Sequence, residues 1–172
     1  MVDVQNDFCP GGALAVPDGD AVVEPINRLA RQLPFVVATR DWHPDDHSSF
    51  AEQGGPWPVH CVRDSEGAEL HPGVDRAAID AVVDKGQTSH TEGYSGFEAT
   101  GLERLLREQG VDRVHVAGLA LDYCVRATAL DARRAGFDVV LHADATRAVD
   151  VHPGDGERAI EELRQAGVRV VD

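Results

Sequence analysis

Residues 113–125 read Arg-Val-His-Val-Ala-Gly-Leu-Ala-Leu-Asp-Tyr-Cys-Val. β-Branched residues fill the first half, Gly118 punctuates it, and a helical pattern runs over residues 122–135 until Gly136 stops it. A strand that ends in a short turn and feeds directly into a helix is the repeating unit of a parallel sheet covered by helices. The alternation recurs on both sides. Residues 20–33 read as a helix with Pro25 in its first turn, 35–39 as a buried strand, 75–81 as a short helix and 82–83 as a short strand. Residues 97–109 form a helical pattern with Leu102, Leu105 and Leu106 on one face. Beyond the quoted stretch come a strand at 138–142, a helix at 156–166 and a last strand at 168–171. With residues 1–4 as the remnant of a first strand, about six strands are expected. The fold class is α/β: a three-layer α/β/α sandwich with a mainly parallel central sheet. A central parallel strand normally carries four to eight apolar residues, yet almost nothing precedes Asp3. Either the first strand is cut short at the N-terminus, or the sheet lacks ladder hydrogen bonds at its middle.

The chain has 172 residues, 42% of them apolar, which suits one domain over residues 1–172 around one core. No repeat or linker interrupts it. Thirty acidic residues against 16 basic ones give a net charge of -14, a field that repels nucleic acid and anionic membranes, so neither is expected as a partner. No stretch is long and apolar enough to span a bilayer and no basic-then-apolar leader is present, so a soluble, cytoplasmic protein is expected. The number of copies in an assembly is left open, a homo-oligomer included.

Fifteen of the sixteen basic residues are Arg; the single Lys is Lys85, directly after Ala81-Val82-Val83-Asp84. A compact ammonium fits a tight buried site that a guanidinium does not, although chance retention accounts for one Lys equally simply. Three cysteines, Cys9, Cys61 and Cys124, have no zinc-finger spacing, and structural disulfides are not expected in the cytoplasm. Cys124 lies where a strand-to-helix turn opens a helix. Free amides there lower a thiol's pKa and bind an oxyanion; a buried structural Cys is the alternative. Asp41-Trp42-His43, His47 and His60 put one carboxylate and two or three imidazoles within reach of a divalent metal, with zinc, iron and manganese as the options; surface histidines are the alternative. Asp3, Lys85 and Cys124 all stand at or near strand ends. The carboxyl ends of parallel strands gather along one edge, so the three can meet there.

At these residues the chain resembles nicotinamidases of the isochorismatase-like cysteine hydrolase superfamily. The resemblance runs nearly end to end, through Val-Asp-Val-Gln-Asn-Asp-Phe at 2–8, Gly-Gly-Ala-Leu-Ala-Val at 11–16 and Ala-Thr-Arg-Asp-Trp-His-Pro at 38–44. It continues in Trp-Pro-Val-His-Cys at 57–61, Asp-Lys-Gly at 84–86, Tyr-Ser-Gly-Phe at 94–97 and Gly-Leu-Ala-Leu-Asp-Tyr-Cys-Val at 118–125. What it implies is an amidohydrolase that splits nicotinamide, and in some relatives pyrazinamide, through a cysteine thioester in NAD salvage. Cys124 would be the nucleophile, Asp3 the base and Lys85 the cation that holds the pair. The backbone amides of Ala120 and Cys124 would form an oxyanion hole, beside a cis peptide between Leu119 and Ala120. Phe8, Trp57, Tyr94, Leu119 and Ala120 would contact substrate. One divalent metal ion, zinc first, would sit on Asp41, His43 and His60, with His47 as an additional ligand, and would grip the pyridine nitrogen and order water. Leu121 stands where many relatives carry Thr. An amidase for carbamoyl or ureido substrates and a non-catalytic metal-binding module on the same fold are the competing readings.

Overall fold

The computed structural model describes all 172 residues. Its strands are β1 (Val37–Asp41), β2 (Ala81–Lys85), β3 (Arg113–Leu119), β4 (Asp138–Arg147) and β5 (Arg169–Val171). Its helices are α1 (Val23–Ala30), α2 (Leu102–Glu108), α3 (Arg126–Arg134) and α4 (Asp155–Gln165). β1 pairs with β2, β3 with β4 and β4 with β5, each in parallel. One residue joins the two halves. Val2 bridges Thr39 of β1 and Gly118 of β3, both in parallel sense, so the order across the sheet is β2–β1–Val2–β3–β4–β5.

The expected six strands are therefore five strands and a stub. The stub is firmly tied: the Val2 N–H donates to Ala117 O (2.7 Å), the Leu119 N–H to Val2 O (2.9 Å), and the Thr39 N–H to Met1 O (2.9 Å). Gly118 is required at this crossing. It has φ +128°, and a Cβ there would lie 2.0 Å from Val2 O. Beneath the stub, towards the amino ends of β1 and β3, lies an apolar cavity of about 150 Å³ lined by Leu29, Phe35, Leu106 and Val114 among others. Its lining is mostly apolar, and it lies at the end of the sheet away from Asp41, Lys85 and Cys124.

Strand alternation sends successive side chains to opposite layers. Val116, Val139 and Leu141 pack with Leu102 and Leu106 of α2, Ala129 and Ala132 of α3, and Leu163 of α4. Ala117, Leu119 and Ala145 pack on the other face with Val22, Ile26 of α1, Phe8 and Val16. This is the α/β/α sandwich.

Local boundaries depart from the sequence reading where tertiary contacts intervene. β1 starts two residues later and runs on to Asp41. α2 begins at Leu102 rather than 97, because Ala99 adopts φ +52°. Residues 121–125 form a π-helical turn, with the Val125 N–H on Ala120 O (3.1 Å), before α3 begins. β4 runs to Arg147 through a register shift between Val116 and Gly118 of its partner. No helix is long and apolar enough to cross a membrane.

His115 on β3 and His142 on β4 hydrogen-bond ring to ring (Nδ1 to Nε2, 2.9 Å). Burial pushes both below the ordinary imidazole value near 6.5. The facing imidazole and the Arg113 and Arg169 cations add to this at His115; at His142 Asp144 opposes it and Arg169 adds to it. A basic group depressed in the folded state keeps its stabilising effect above the unfolded pKa. That effect is lost as pH falls through the folded value, because the unfolded chain takes up the proton first. Stability to urea should therefore decline below about pH 6.5, and a His115→Gln/His142→Gln variant should show a flatter profile there. Equal slopes for the two proteins between pH 7 and 5 would refute the assignment.

Candidate active site

Register alone brings two opposite charges together. Asp41 is the register partner of Lys85 in the β1–β2 pair, so their side chains leave the sheet on the same face; Arg40 and Asp84, one residue earlier, pair on the other face at 2.8 Å. Thr39 shares the Asp41 face, and its hydroxyl donates to Asp3 Oδ1 (2.5 Å). Asp3, with φ +46°, leaves the stub in a left-handed conformation that Asp tolerates better than most residues. The Lys85 ammonium sits fully buried among Asp41 Oδ1 (2.5 Å), Gly93 O (2.5 Å) and Asp3 Oδ2 (2.7 Å), with Cys124 Sγ at 3.5 Å. Asp3, Asp41 and Cys124 lie with their carboxylate and sulfur atoms within 4.8 Å of one another. The three residues placed at strand ends by sequence thus do meet.

The electrostatics of this set differ from the sequence expectation at one point. Burial pushes the Cys124 thiol well up; Lys85 opposes this, but Asp3 and Asp41 add to it, so the resting group is a thiol and not the thiolate that a helix start alone would favour. Burial also raises Asp3, against the pull of Lys85 and with Asp41 reinforcing it. At Asp41 burial is outweighed by Lys85 and His43, which hold the carboxyl far below the usual range. Lys85 is raised well above its ordinary value, since its two carboxylates and the Cys124 sulfur overcome the effect of burial. Asp3 Oδ2 is ion-paired with the ammonium at 2.7 Å.

Loop backbone brings the imidazoles in. Residues 60–63 run parallel to 41–43: the His43 N–H donates to Cys61 O (3.0 Å) and the Arg63 N–H to His43 O (2.9 Å). Asp41, His43 and His60 then offer donor atoms within 4.8 Å of one another, all three buried. His43 Nδ1 is bonded to Gly86 O (2.9 Å) and His60 Nδ1 to Pro58 O (2.8 Å). A carbonyl can only accept, so both rings carry a proton on Nδ1, and Nε2 is the nitrogen left to ligate. Burial lowers His60, which keeps it neutral. One carboxylate oxygen and two imidazole nitrogens fit a divalent cation of the zinc type. His47 is placed differently. It stacks on His43 with ring centroids 3.9 Å apart, its Nδ1 is engaged by Ser49, and its buried Nε2 has no partner. It adjoins the three converging donors but is not among them.

A cavity of about 40 Å³ opens directly on Cys124, Asp41, His43 and His60 and is walled by Phe8, Trp57, Tyr94, Tyr123, Ala120 and Val149 among others. The Trp57 indole N–H donates to the Tyr94 hydroxyl (3.0 Å), and Tyr123 closes the aromatic cluster against Trp57 at 5.0 Å between centroids. Leu119 is not among the residues that line this cavity. It is wholly buried with Val16 and Ala117 on the α1 side of the sheet, because the last residue of β3 points into that layer and only the next residue, Ala120, turns outward. The Leu119–Ala120 peptide is cis.

Several positioning groups had no distinct sequence signal. Gln5 is fully buried; its amide donates to Asp41 O (2.8 Å) and Ala68 O (2.7 Å), and its oxygen accepts the Asp41 N–H (2.8 Å). Phe50 lies under all three imidazoles, 5.4–5.8 Å between centroids. Glu98 accepts the N–H groups of Glu92 (3.2 Å) and Gly93 (2.9 Å), fixing the loop that gives Lys85 its carbonyl and the cavity its Tyr94. Gln5 stood inside a quoted motif; Phe50 and Glu98 looked like any loop residue.

A parallel α/β/α sandwich that collects a thiol, two carboxylates and an ammonium at the carboxyl edge of its strands defines a hydrolase of the amidohydrolase class. The chain belongs to the isochorismatase domain family, whose model matches residues 1–172. It is 44% identical to a nicotinamidase/pyrazinamidase of Mycobacterium tuberculosis, over 99% of this chain and 96% of that protein. Among solved structures it resembles the pyrazinamidase of Pyrococcus horikoshii in complex with zinc (46% identity, TM-score 0.93, 100% of this chain and 96% of that one). It also resembles PnC1 of L. infantum in complex with nicotinate (45% identity, TM-score 0.95, 100% and 90%).

Replacing Lys85 by Met would strand two buried carboxylates, a change that typically costs about 3–5 kcal/mol. Urea unfolding of Lys85→Met at neutral pH should show a loss of that size, and a loss below about 1 kcal/mol would mean that the ammonium is incidental to the fold.

Proposed function

We propose that the protein is a nicotinamidase, hydrolysing nicotinamide to nicotinate and ammonia through a thioester on Cys124. The observation that carries the reading is the meeting of one buried thiol with Asp3 and with the Lys85 ammonium that pairs with it, all beside a small aromatic cavity. The M. tuberculosis relative named for both amides, and a nicotinate complex at TM-score 0.95, support the substrate class.

A carboxamide is a poor electrophile and ammonia a poor leaving group, so nucleophile, proton carrier and charge stabilisation must act together. Asp3 takes the proton of the Cys124 thiol, and the sulfur attacks the amide carbon. The thiolate that forms is stabilised by the ammonium 3.5 Å away. The oxyanion of the tetrahedral adduct is received by the backbone N–H groups of Ala120 and Cys124; the Ala120 N–H donates to no group of the protein. Asp3 returns its proton to the departing nitrogen, ammonia leaves, and the acyl group remains on sulfur. In the second half Asp3 accepts a proton from water as its oxygen attacks the thioester carbon, and the released Cys124 sulfur regains that proton. Lys85 transfers no proton in either half; its ammonium, anchored on Asp41 and Gly93, holds Asp3 in place.

Asp41, His43 and His60 would hold one divalent ion, zinc by the chemistry of the donor set and by likeness to the P. horikoshii zinc complex, with iron and manganese as alternatives. Bound there, such an ion supplies a Lewis acid for a ring nitrogen and for water. His47, one ring face away, is read as an outer group or an additional ligand. The acidic surface fits a cytoplasmic protein that contacts neither nucleic acid nor membranes, and a homo-oligomer is compatible with it.

Cys124→Ala should fold, retain metal measured by mass spectrometry, and release no ammonia from nicotinamide in a coupled assay. Turnover above one thousandth of wild type would end the cysteine mechanism. Prolonged treatment with a chelator should abolish activity and zinc should restore it; an unchanged rate in metal-free protein would remove the ion from the reaction.

A further inference from the structure

Asp122 is the one buried carboxylate near Cys124 that the reaction above does not use. It lies two residues before the nucleophile in the same π-helical turn, and its acceptors reach across the fold. Oδ1 takes the N–H of Val149 and Oδ2 the N–H of Asp150, each at 2.9 Å, from residues 27 and 28 positions away. Val149 lines the same cavity as Ala120, Tyr123 and Cys124. The loop is held again on its far side. Asp150 Oδ1 accepts the N–H of Gly156 at the start of α4 (2.8 Å), where a Cβ would meet Ala148 at 2.8 Å. One carboxylate thus ties the turn that carries the sulfur to the loop that supplies a cavity wall.

We propose that Asp122 is a positioning residue that sets the width of the cavity through Val149, and so restricts the enzyme to carboxamides of a single six-membered aromatic ring. The proposal rests on the reading of this cavity as the ring-binding site. Its basis is the demand of two converging N–H groups for two acceptor oxygens. A carboxylate offers both; an amide offers one oxygen and sets an NH₂ group against the second N–H. Losing one clamp frees the backbone of Val149, and a wall side chain displaced by a methyl group's width is worth roughly 10-fold or more in discrimination between ligands.

The test compares ammonia release from nicotinamide, pyrazinamide and the fused bicyclic quinoline-3-carboxamide by wild type, Asp122→Asn, Val149→Ala and the double variant. In Asp122→Asn the KM for nicotinamide should rise by about tenfold, more than kcat falls, and the kcat/KM ratio of bicyclic to monocyclic amide should rise by about tenfold. Val149→Ala should raise the same ratio, and the double variant should add nothing to Val149→Ala, since both act on one wall. A purely structural Asp122 would instead lower the melting temperature and kcat with the substrate ratio unchanged, and that result overturns the proposal. If Asp122→Asn does not fold, an unchanged ratio in Val149→Ala overturns it as well. Wild-type protein that releases no ammonia from nicotinamide defeats the nicotinamidase reading itself, whereas active wild type with unaltered ratios defeats only the role of Asp122.

Discussion

A single ammonium, buried with no access to water, holds three separate parts of this chain in one place. Lys85 ends β2, Asp41 ends β1, and Asp3 leaves the one-residue stub between β1 and β3. Taking any of these charges out of water alone would be prohibitive; together, with the Gly93 carbonyl as a third acceptor, they satisfy one another. The arrangement sums to one excess negative charge when both carboxylates are ionised. Burial first, and that excess after it, raise the neighbouring thiol, and the same excess makes a cation beside Asp41 chemically welcome.

This charge economy divides the work between the two carboxylates. Asp41 is held strongly acidic by Lys85 and His43, against the effect of burial, which suits a permanent anionic ligand. Asp3 is shifted the other way, chiefly by burial, which suits a group that must accept and return a proton. Two acids a few ångströms apart thereby acquire different tasks from their surroundings alone, the pattern that pairs of titratable groups in active sites repeatedly display. The imidazoles are specialised in the same indirect manner. Backbone carbonyls of Gly86 and Pro58 fix the tautomers of His43 and His60, and Phe50 fills the space beneath them.

The long loops between β1 and β2 and between β2 and α2 do as much as the sheet. Backbone ladders between 60–63 and 41–43 carry His60 to His43, and the bridge of Phe50 to Trp57 presents the indole to the cavity. Such loops keep polar backbone in a half-buried region only because side chains such as Gln5, Asp7 and Glu98 answer their N–H and C=O groups. Asp122 extends the same device to the loop after β4.

Much of this was legible in the residues themselves. Alternation of β-branched runs with amphipathic helices determines the parallel sandwich, because period and punctuation are local properties of the chain. The strand-end positions of Asp41, Lys85 and Cys124, and the solitary Lys in an Arg-rich composition, pointed to the site for the same reason. Other features were decided only by tertiary structure. That Val2 alone welds the two halves of the sheet, that Leu119 faces the core while Ala120 faces the cavity, and that His47 stacks on His43 with its Nε2 buried, depend on how the folded chain brings its segments together. So do the raised thiol of Cys124 and the clamps of Gln5, Glu98 and Asp122. Propensity is written residue by residue, whereas burial and charge neighbourhoods exist only once distant segments have met.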